Sequence, residues 1–337
     1  MIDVSAPPEA KNRPPAFRNR VYRPNRRHIP VLATLALLAT MYSIGILNYE
    51  GFSDTQVLLN VFIDNAFLVV VAAGMTFVIL TGGIDLSVGA VVALTTVVVA
   101  TLLEANWSPA LVMVIVLAIG TLLGLGMGAV IHYFDIPPFI ATLAGLFLAR
   151  GISQIISTES IPINNKTWTA VATQRIAFGG FHISTNVVIA FVVVLVGAYV
   201  LAYTRLGRNI YALGGNAQSA LLMGLPAGRT RISVYVISGF CSALGGILYS
   251  FYLPSGNSLN AQGMELDAIA AVVIGGTLLT GGSGYLFGTV LGVLVLGLIQ
   301  TIINYQGTLN SWWVRIVIGA LLFAFVLLQR VVTRRER

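Results

Sequence analysis

Long apolar runs, broken by glycine, proline and short polar clusters, divide the chain. They fall near residues 29–48, 56–80, 86–103, 108–132, 138–156, 185–204, 230–253, 266–281, 284–304 and 312–332. Most approach or exceed the roughly 20 residues that a helix needs to cross a bilayer core. The short alternating segments of a β-barrel are absent. The pattern predicts an all-α fold: a polytopic membrane helix bundle of about ten transmembrane helices. Segment 266–281 is short, so it is read as either a full span or a re-entrant one. Two connections are longer than turns, residues 157–184 and 205–229.

Composition agrees with a lipid-embedded chain. Hydrophobic residues make up 57% of the 337 and charged residues 9%, against roughly 25% charged in a soluble domain. Of 19 Lys and Arg, seven lie in residues 1–28, four in 205–231 and four in 330–337. Basic clusters beside apolar spans mark the cytoplasmic side. Ten crossings put all three clusters there, with both termini cytoplasmic and loop 157–184 outside. The organisation is then a basic tail (1–28), a transmembrane domain (29–332) and a short tail (333–337). The basic tail is read as a membrane-proximal anchor, not a nucleic-acid arm. Nor is it a cleaved signal, because the following apolar run exceeds the 7–15 residues of a signal core. One cysteine, Cys241, supports neither a disulfide framework nor a thiol metal site.

Catalytic signatures are missing. A phosphate-binding loop requires Gly-x-x-x-x-Gly-Lys-Ser/Thr, and the two lysines, Lys11 and Lys166, follow no glycine. No His-Glu-x-x-His helix or Gly-x-Ser-x-Gly elbow occurs. No enzyme activity, metal or cofactor is expected. Charge within the apolar runs is rare, and it is costly there, by about 2.5–3.5 kcal/mol at a helix centre. In "NVFIDNAF", Asn60, Asp64 and Asn65 make a polar stripe able to meet the hydroxyls of a polar solute, with polar helix packing as the plainer explanation. Arg150 is placed to snorkel to the outer interface. In "VILTGGIDLSVGAV", Asp85 follows Gly82 and Gly83 and precedes Ser87. It reads as a cap accepting the amide hydrogen of Ser87 or Val88, and also as a residue at the inner mouth of a pathway.

Glycines add two patterns. Gly120, Gly124 and Gly128, and likewise Gly284, Gly288 and Gly292, recur every four residues, a spacing that lets helices approach closely. "LTGG" occurs at residues 80–83 and again at 279–282, which suggests an internal repeat around a central pathway. In "YALGGNAQSALLMGLPAGRTR", Gly214 and Gly215 are expected to break the preceding segment. Asn216 would cap a short helix through Ala217, Gln218, Ser219 and Ala220 to Leu221, Leu222 and Met223, with Gly224 closing it. Two turns with an apolar face gain little by standing alone in water. That face would lie on its own bundle or against a larger partner.

Three blocks carry a family resemblance: "GMTFVILTGGIDLSVGAVVAL" (74–94), "ALGGNAQSALLMGL" (212–225) and "ELDAIAAVVIGGTLLTGGSGYLFGTVLG" (265–292). From about Ala33 to Arg330 the chain resembles permease subunits of bacterial ATP-binding-cassette (ABC) importers for monosaccharides, of the ribose and galactose type. "SIPIN" (160–164) and residues 307–330 look closest to a galactofuranose permease. The resemblance implies a type II importer fold in the bacterial inner membrane. It also implies a coupling helix at 216–224 docking a cytoplasmic ATP-binding subunit, a periplasmic sugar-binding protein, and a second permease subunit, identical or different. The family often has Glu-Ala-Ala after the Gly-Gly-Asn, where this chain has Ala217, Gln218 and Ser219. An autonomous ion-coupled sugar transporter, using Asp64, is the competing reading.

Overall fold

The computed structural model describes residues 29–308, 310 and 312–334. The basic tail and residues 335–337 therefore lie outside the described residues. In chain order the helices are α1 (Ile29–Asn48), α2 (Thr55–Leu80), α3 (Val88–Glu104), α4 (Pro109–Tyr133), α5 (Pro138–Ile156), α6 (Lys166–Thr173), α7 (Thr185–Tyr203), α8 (Arg205–Gly215), α9 (Ala217–Leu222), α10 (Ala227–Tyr252), α11 (Met264–Ile274), α12 (Leu286–Gln306) and α13 (Trp312–Arg334). Strands β1 (Ile161–Pro162) and β4 (Ser255–Gly256) pair antiparallel, as do β2 (Arg175–Phe178) and β3 (Phe181–Ser184).

Eight of these helices, α1, α2, α4, α5, α7, α10, α12 and α13, are long and apolar enough to cross a membrane. The other two expected spans are shorter. α3 has 17 residues, about 26 Å at 1.5 Å per residue. α11 has 11 residues and continues as irregular chain to α12. Residues 266–281 are thus a half-helix followed by loop.

Helix α2 is buried on every side from Leu68 to Leu80, which explains why its sequence is apolar all round instead of striped. With α10 and α12 it is among the most buried of the long helices. α1, α5, α7 and α13 form a shell, with exposed residues such as Phe147, Phe191 and Phe323 that suit a lipid surface.

The glycine strips serve packing inside this bundle. A Cβ on Gly120 would meet the Gly239 carbonyl at 2.5 Å, and one on Gly124 would overlap the Tyr235 carbonyl. Both press α4 onto α10. Gly288 and Gly292 do the same for α12 against Gly275 and Ala271. Gly284 stands apart, in the loop before α12 and against Thr277. Cys241 of α10 lies against Gly74 of α2 and is 5% exposed.

The two long connections are structured. Asn165 caps α6 by accepting from the amides of Thr167 and Trp168, both at 3.1 Å. Trp168 is buried beneath it, donating to Ser250 at 3.2 Å and lying 4.9 Å from the Phe251 ring. Gln56 pins the β2–β3 hairpin to α2, donating to the His182 carbonyl and accepting from its amide, each at 3.1 Å. Loop 205–229 contains α8 and α9. The expected break comes where α8 closes on Gly214 and Gly215, with Asn216 extended before α9 begins.

Candidate pathway and coupling element

α9 forms for local reasons. Asn216 is extended, and its side chain accepts from the Ser219 amide at 2.8 Å, meeting one of the free amides of the first turn. Gly224 ends the turn with φ +75°, and its amide bonds to the Leu221 carbonyl at 2.9 Å. Ala220 is buried and packs with Leu213 and Ala227. On the other side Leu221, Leu222 and Met223 are 58%, 84% and 69% exposed. Ala217, Gln218 and Ser219 make the first turn. The short helix thus spends its one buried residue on its own protein and leaves three large apolar side chains free.

Directly before α9, three stretches of main chain meet. The Gly282 amide donates to the Leu80 carbonyl at 2.9 Å, joining the two LTGG turns to each other. Gly214 packs onto both: a Cβ there would overlap the Leu80 carbonyl and lie 2.5 Å from the Gly282 nitrogen. Tyr211, one turn earlier on α8, donates its hydroxyl to the Gly284 carbonyl at 2.9 Å. Gly82, Gly281 and Gly282 have φ of +81°, +84° and +74°, a region that other residues enter only at a cost. The two copies of the motif are far apart in sequence and in contact in space.

Asp85 and Ser87 follow the first of these turns. One Asp85 oxygen accepts from the Ser87 amide at 2.9 Å and its hydroxyl at 2.6 Å, while the other accepts from Ser238 of α10 at 2.7 Å. The expected bond to the Ser87 amide is made, but the N-cap position of α3 belongs to Ser87, so Asp85 holds the turn before the helix and not its first free amides. The carboxylate also ties the α2–α3 turn to α10. Asp85 is fully buried and Ser87 is 1% exposed.

Asn60 and Asp64 sit at the other end of α2. Residues 64 and 80 are separated by about 24 Å along the axis. Asn60 and Asp64 line a cavity of about 570 Å³ with Gln174, Arg175, His182 and Tyr252, beneath the β2–β3 hairpin. Asn65 does not join them. It lines a separate cleft of about 240 Å³ with Asp267, Gln300 and Arg315. The five residues expected along a pathway thus fall into three places. Sequence reasoning passed over Gln174, Arg175 and His182, whose only cue was polarity within a loop.

Arg150 reaches the same end of the bundle as the cavity. It donates to the carbonyls of Ser258 and Asn260 at 2.5 and 2.9 Å, so it anchors the loop before α11. At the opposite end, Gly276 packs against Pro30 of α1 and Gln329 of α13 donates to Val273 and Thr277. The described ends of α1 and α13 therefore both approach the segment that carries the second LTGG turn. Among the described residues, no group of three or more His, Cys, Asp or Glu is placed to hold a metal.

The site thus consists of a many-helix bundle, a polar cavity at one end and a capped short helix with three exposed apolar side chains at the other. A family profile described as the branched-chain amino acid transport system / permease component matches residues 57–326, and the chain belongs to that family. It is 46% identical over 310 residues to the inner membrane ABC transporter permease protein YjfF of Escherichia coli (strain K12), covering 91% of this chain and 94% of that protein. It is 41% identical over 318 residues to the fructose import permease protein FruG of Bifidobacterium longum (strain NCC 2705), with 92% and 93% covered. To the ribose import permease protein RbsC of Escherichia coli (strain K12) it is 36% identical over 303 residues, with 88% and 91% covered. No solved structure matches the chain. The protein is a non-catalytic, multi-pass permease subunit of the ABC transporter type.

Proposed function

We propose that the chain forms one half of the transmembrane pathway of a bacterial inner-membrane monosaccharide importer, driven by a separate ATP-binding subunit through alternating access. The observation that carries this reading is α9, which is capped at both ends and exposes Leu221, Leu222 and Met223. These side chains supply the apolar anchor that a protein partner needs, and residues 216–224 are its docking element. The α8–α9 end is cytoplasmic, in keeping with Arg205, Arg208, Arg229 and Arg231 around it. Both termini share that side.

The relatives named for ribose and fructose import support a sugar as cargo. The resemblance of residues 160–164 and 307–330 to a galactofuranose permease makes galactofuranose or galactose the first candidate. A periplasmic sugar-binding protein delivers the sugar to the outer end, and a second permease subunit, identical or different, completes the pathway. Asn60 and Asp64 meet the sugar's hydroxyls at the outer cavity, and Asn65 serves the neighbouring cleft. Asp85 and Ser87 act on the pathway by holding the turn at its inner mouth.

Removing residues 218–223 tests the reading. The shortened chain should still insert into the membrane but no longer co-purify with its ATP-binding subunit; an intact complex would refute docking at α9. Uptake across a panel of pentoses and hexoses, including both ring forms of galactose, would identify the cargo. Sugar uptake by the isolated chain driven by an ion gradient would overturn the subunit assignment.

A further inference from the structure

We infer that the contact among Gly214, Tyr211 and the two LTGG turns is the joint that delivers motion of α9 to the helices of the pathway. The inference rests on the docking role proposed for α9 and adds where the movement goes next.

The contact is main chain on main chain. Gly214 lies against the Leu80 carbonyl and the Gly282 nitrogen, and a Cβ on Gly282 would fall 2.7 Å from the nitrogen and Cα of Gly215. A Cβ on Gly281 would be 2.7 Å from the Gly82 nitrogen and 3.1 Å from Gly214 Cα. At Gly214, Gly281 and Gly282 the nearest neighbours are main-chain atoms, which cannot absorb a displacement by changing rotamer. Close-packed surfaces of this kind transmit strain. Side-chain cushions yield; this contact does not.

The connectivity fits that role. On one side the joint continues into α9 through Asn216, whose amide bonds back to Ala212 of α8 at 3.1 Å, and through Leu213, which packs against Ala220. On the other side it meets the last residue of α2 and the loop that leads into α12, two of the most buried long helices. Tyr211 fastens the α12 side through its bond to Gly284 at 2.9 Å. The backbone bond from Gly282 to Leu80 locks α2 and the α12 loop together, so one push on α8 reaches both. Tyr211 and Gly214 are positioning residues, acting on the pathway through these turns.

The test uses the whole transporter, with ATP-binding subunit and sugar-binding protein, in proteoliposomes, and reads sugar taken up per ATP hydrolysed. Tyr211→Phe removes only the hydroxyl. It should leave the amount of complex and its ATP hydrolysis within about twofold of the unmodified protein while lowering uptake per ATP at least threefold. Gly214→Ala, which forces apart all three segments, should lower that ratio tenfold or more. Gly126→Ala, on an exposed part of α4 where a Cβ meets nothing within 4 Å, should not change it.

If Gly214→Ala does not accumulate in the membrane, Tyr211→Phe decides alone. An unchanged ratio in Tyr211→Phe with the complex intact overturns the joint and leaves docking at α9 standing. A fall in uptake matched by equal loss of the complex also overturns it, because the hydroxyl would then serve assembly alone. Failure of the unmodified chain to bind an ATP-binding subunit would instead overturn the docking role itself.

Discussion

The two ends of α2 are built on opposite plans. At the Leu80 end, carbonyls and amides of three segments touch directly, and glycines occupy the positions where a Cβ would intrude. At the Asn60 end, polar side chains line an open cavity of about 570 Å³ under a hairpin that Gln56 ties to α2. One end keeps geometry fixed, and the other keeps contacts exchangeable. A permease that must transmit a movement and yet release its cargo needs both, because tight binding along the route would slow release. The same helix, α2, connects them.

This contrast can be broken at several points. The largest effect is expected in the close helix contacts that support the rigid end. Gly124→Leu places a side chain on the Tyr235 carbonyl and should destabilise the protein by about 3 kcal/mol or more, seen as loss of folded protein in detergent; normal yield and melting would show that α4 can move away from α10. Next is Asp85→Ala. A cap alone would cost about 0.5–2 kcal/mol. The structure adds Ser238, whose buried hydroxyl would lose its acceptor, so a cost of about 1–3 kcal/mol is expected from thermal melting. Normal stability with lost transport would instead mark Asp85 as a gate.

At the open end the effects should be smaller. Asp64→Asn keeps the shape and removes the charge, so uptake should fall roughly two- to tenfold, the equivalent of one ordinary hydrogen bond. Complete loss in a well-folded variant would point to ion coupling and would sharpen the case against a purely hydroxyl-binding role. Gln56→Ala frees the hairpin at a cost of about 1–2 kcal/mol; faster proteolysis within residues 175–184, with the helices intact, would show it. A hairpin as protected as before would mean that α6 and Trp168 hold the outer loop without help from α2.

Local chemistry was legible in the sequence where it was self-contained. Residues 29–48 and 138–156 are helices at the expected limits, because apolar length and flanking polar or proline residues define both ends. The α9 cap was legible too, since Asn216 and Gly224 act within a few residues of themselves. The LTGG joint was not. Its repeat was visible, but nothing in a local pattern says that residues 80, 214 and 282 touch. The polar stripe on α2 was misjudged for a simpler reason. Asn60 and Asp64 are one helical turn apart, whereas Asn65 is rotated about 100° from Asp64, and it faces the Asp267 cleft instead. Gly214 and Gly215 end α8 as their composition suggests, but only the contact shows that Gly214 also has no room for a side chain.

Cys241 is the sole thiol in the sequence and is 5% exposed between α2 and α10. The native chain is therefore close to a blank background for cysteine-directed probes. A spin label or fluorophore introduced at Tyr203 would report on one end of the molecule and another at Ile155 on the opposite end, both exposed and outside the docking element and the cavity, with the natural cysteine left in place. Their distance under turnover would follow the opening and closing of a single subunit.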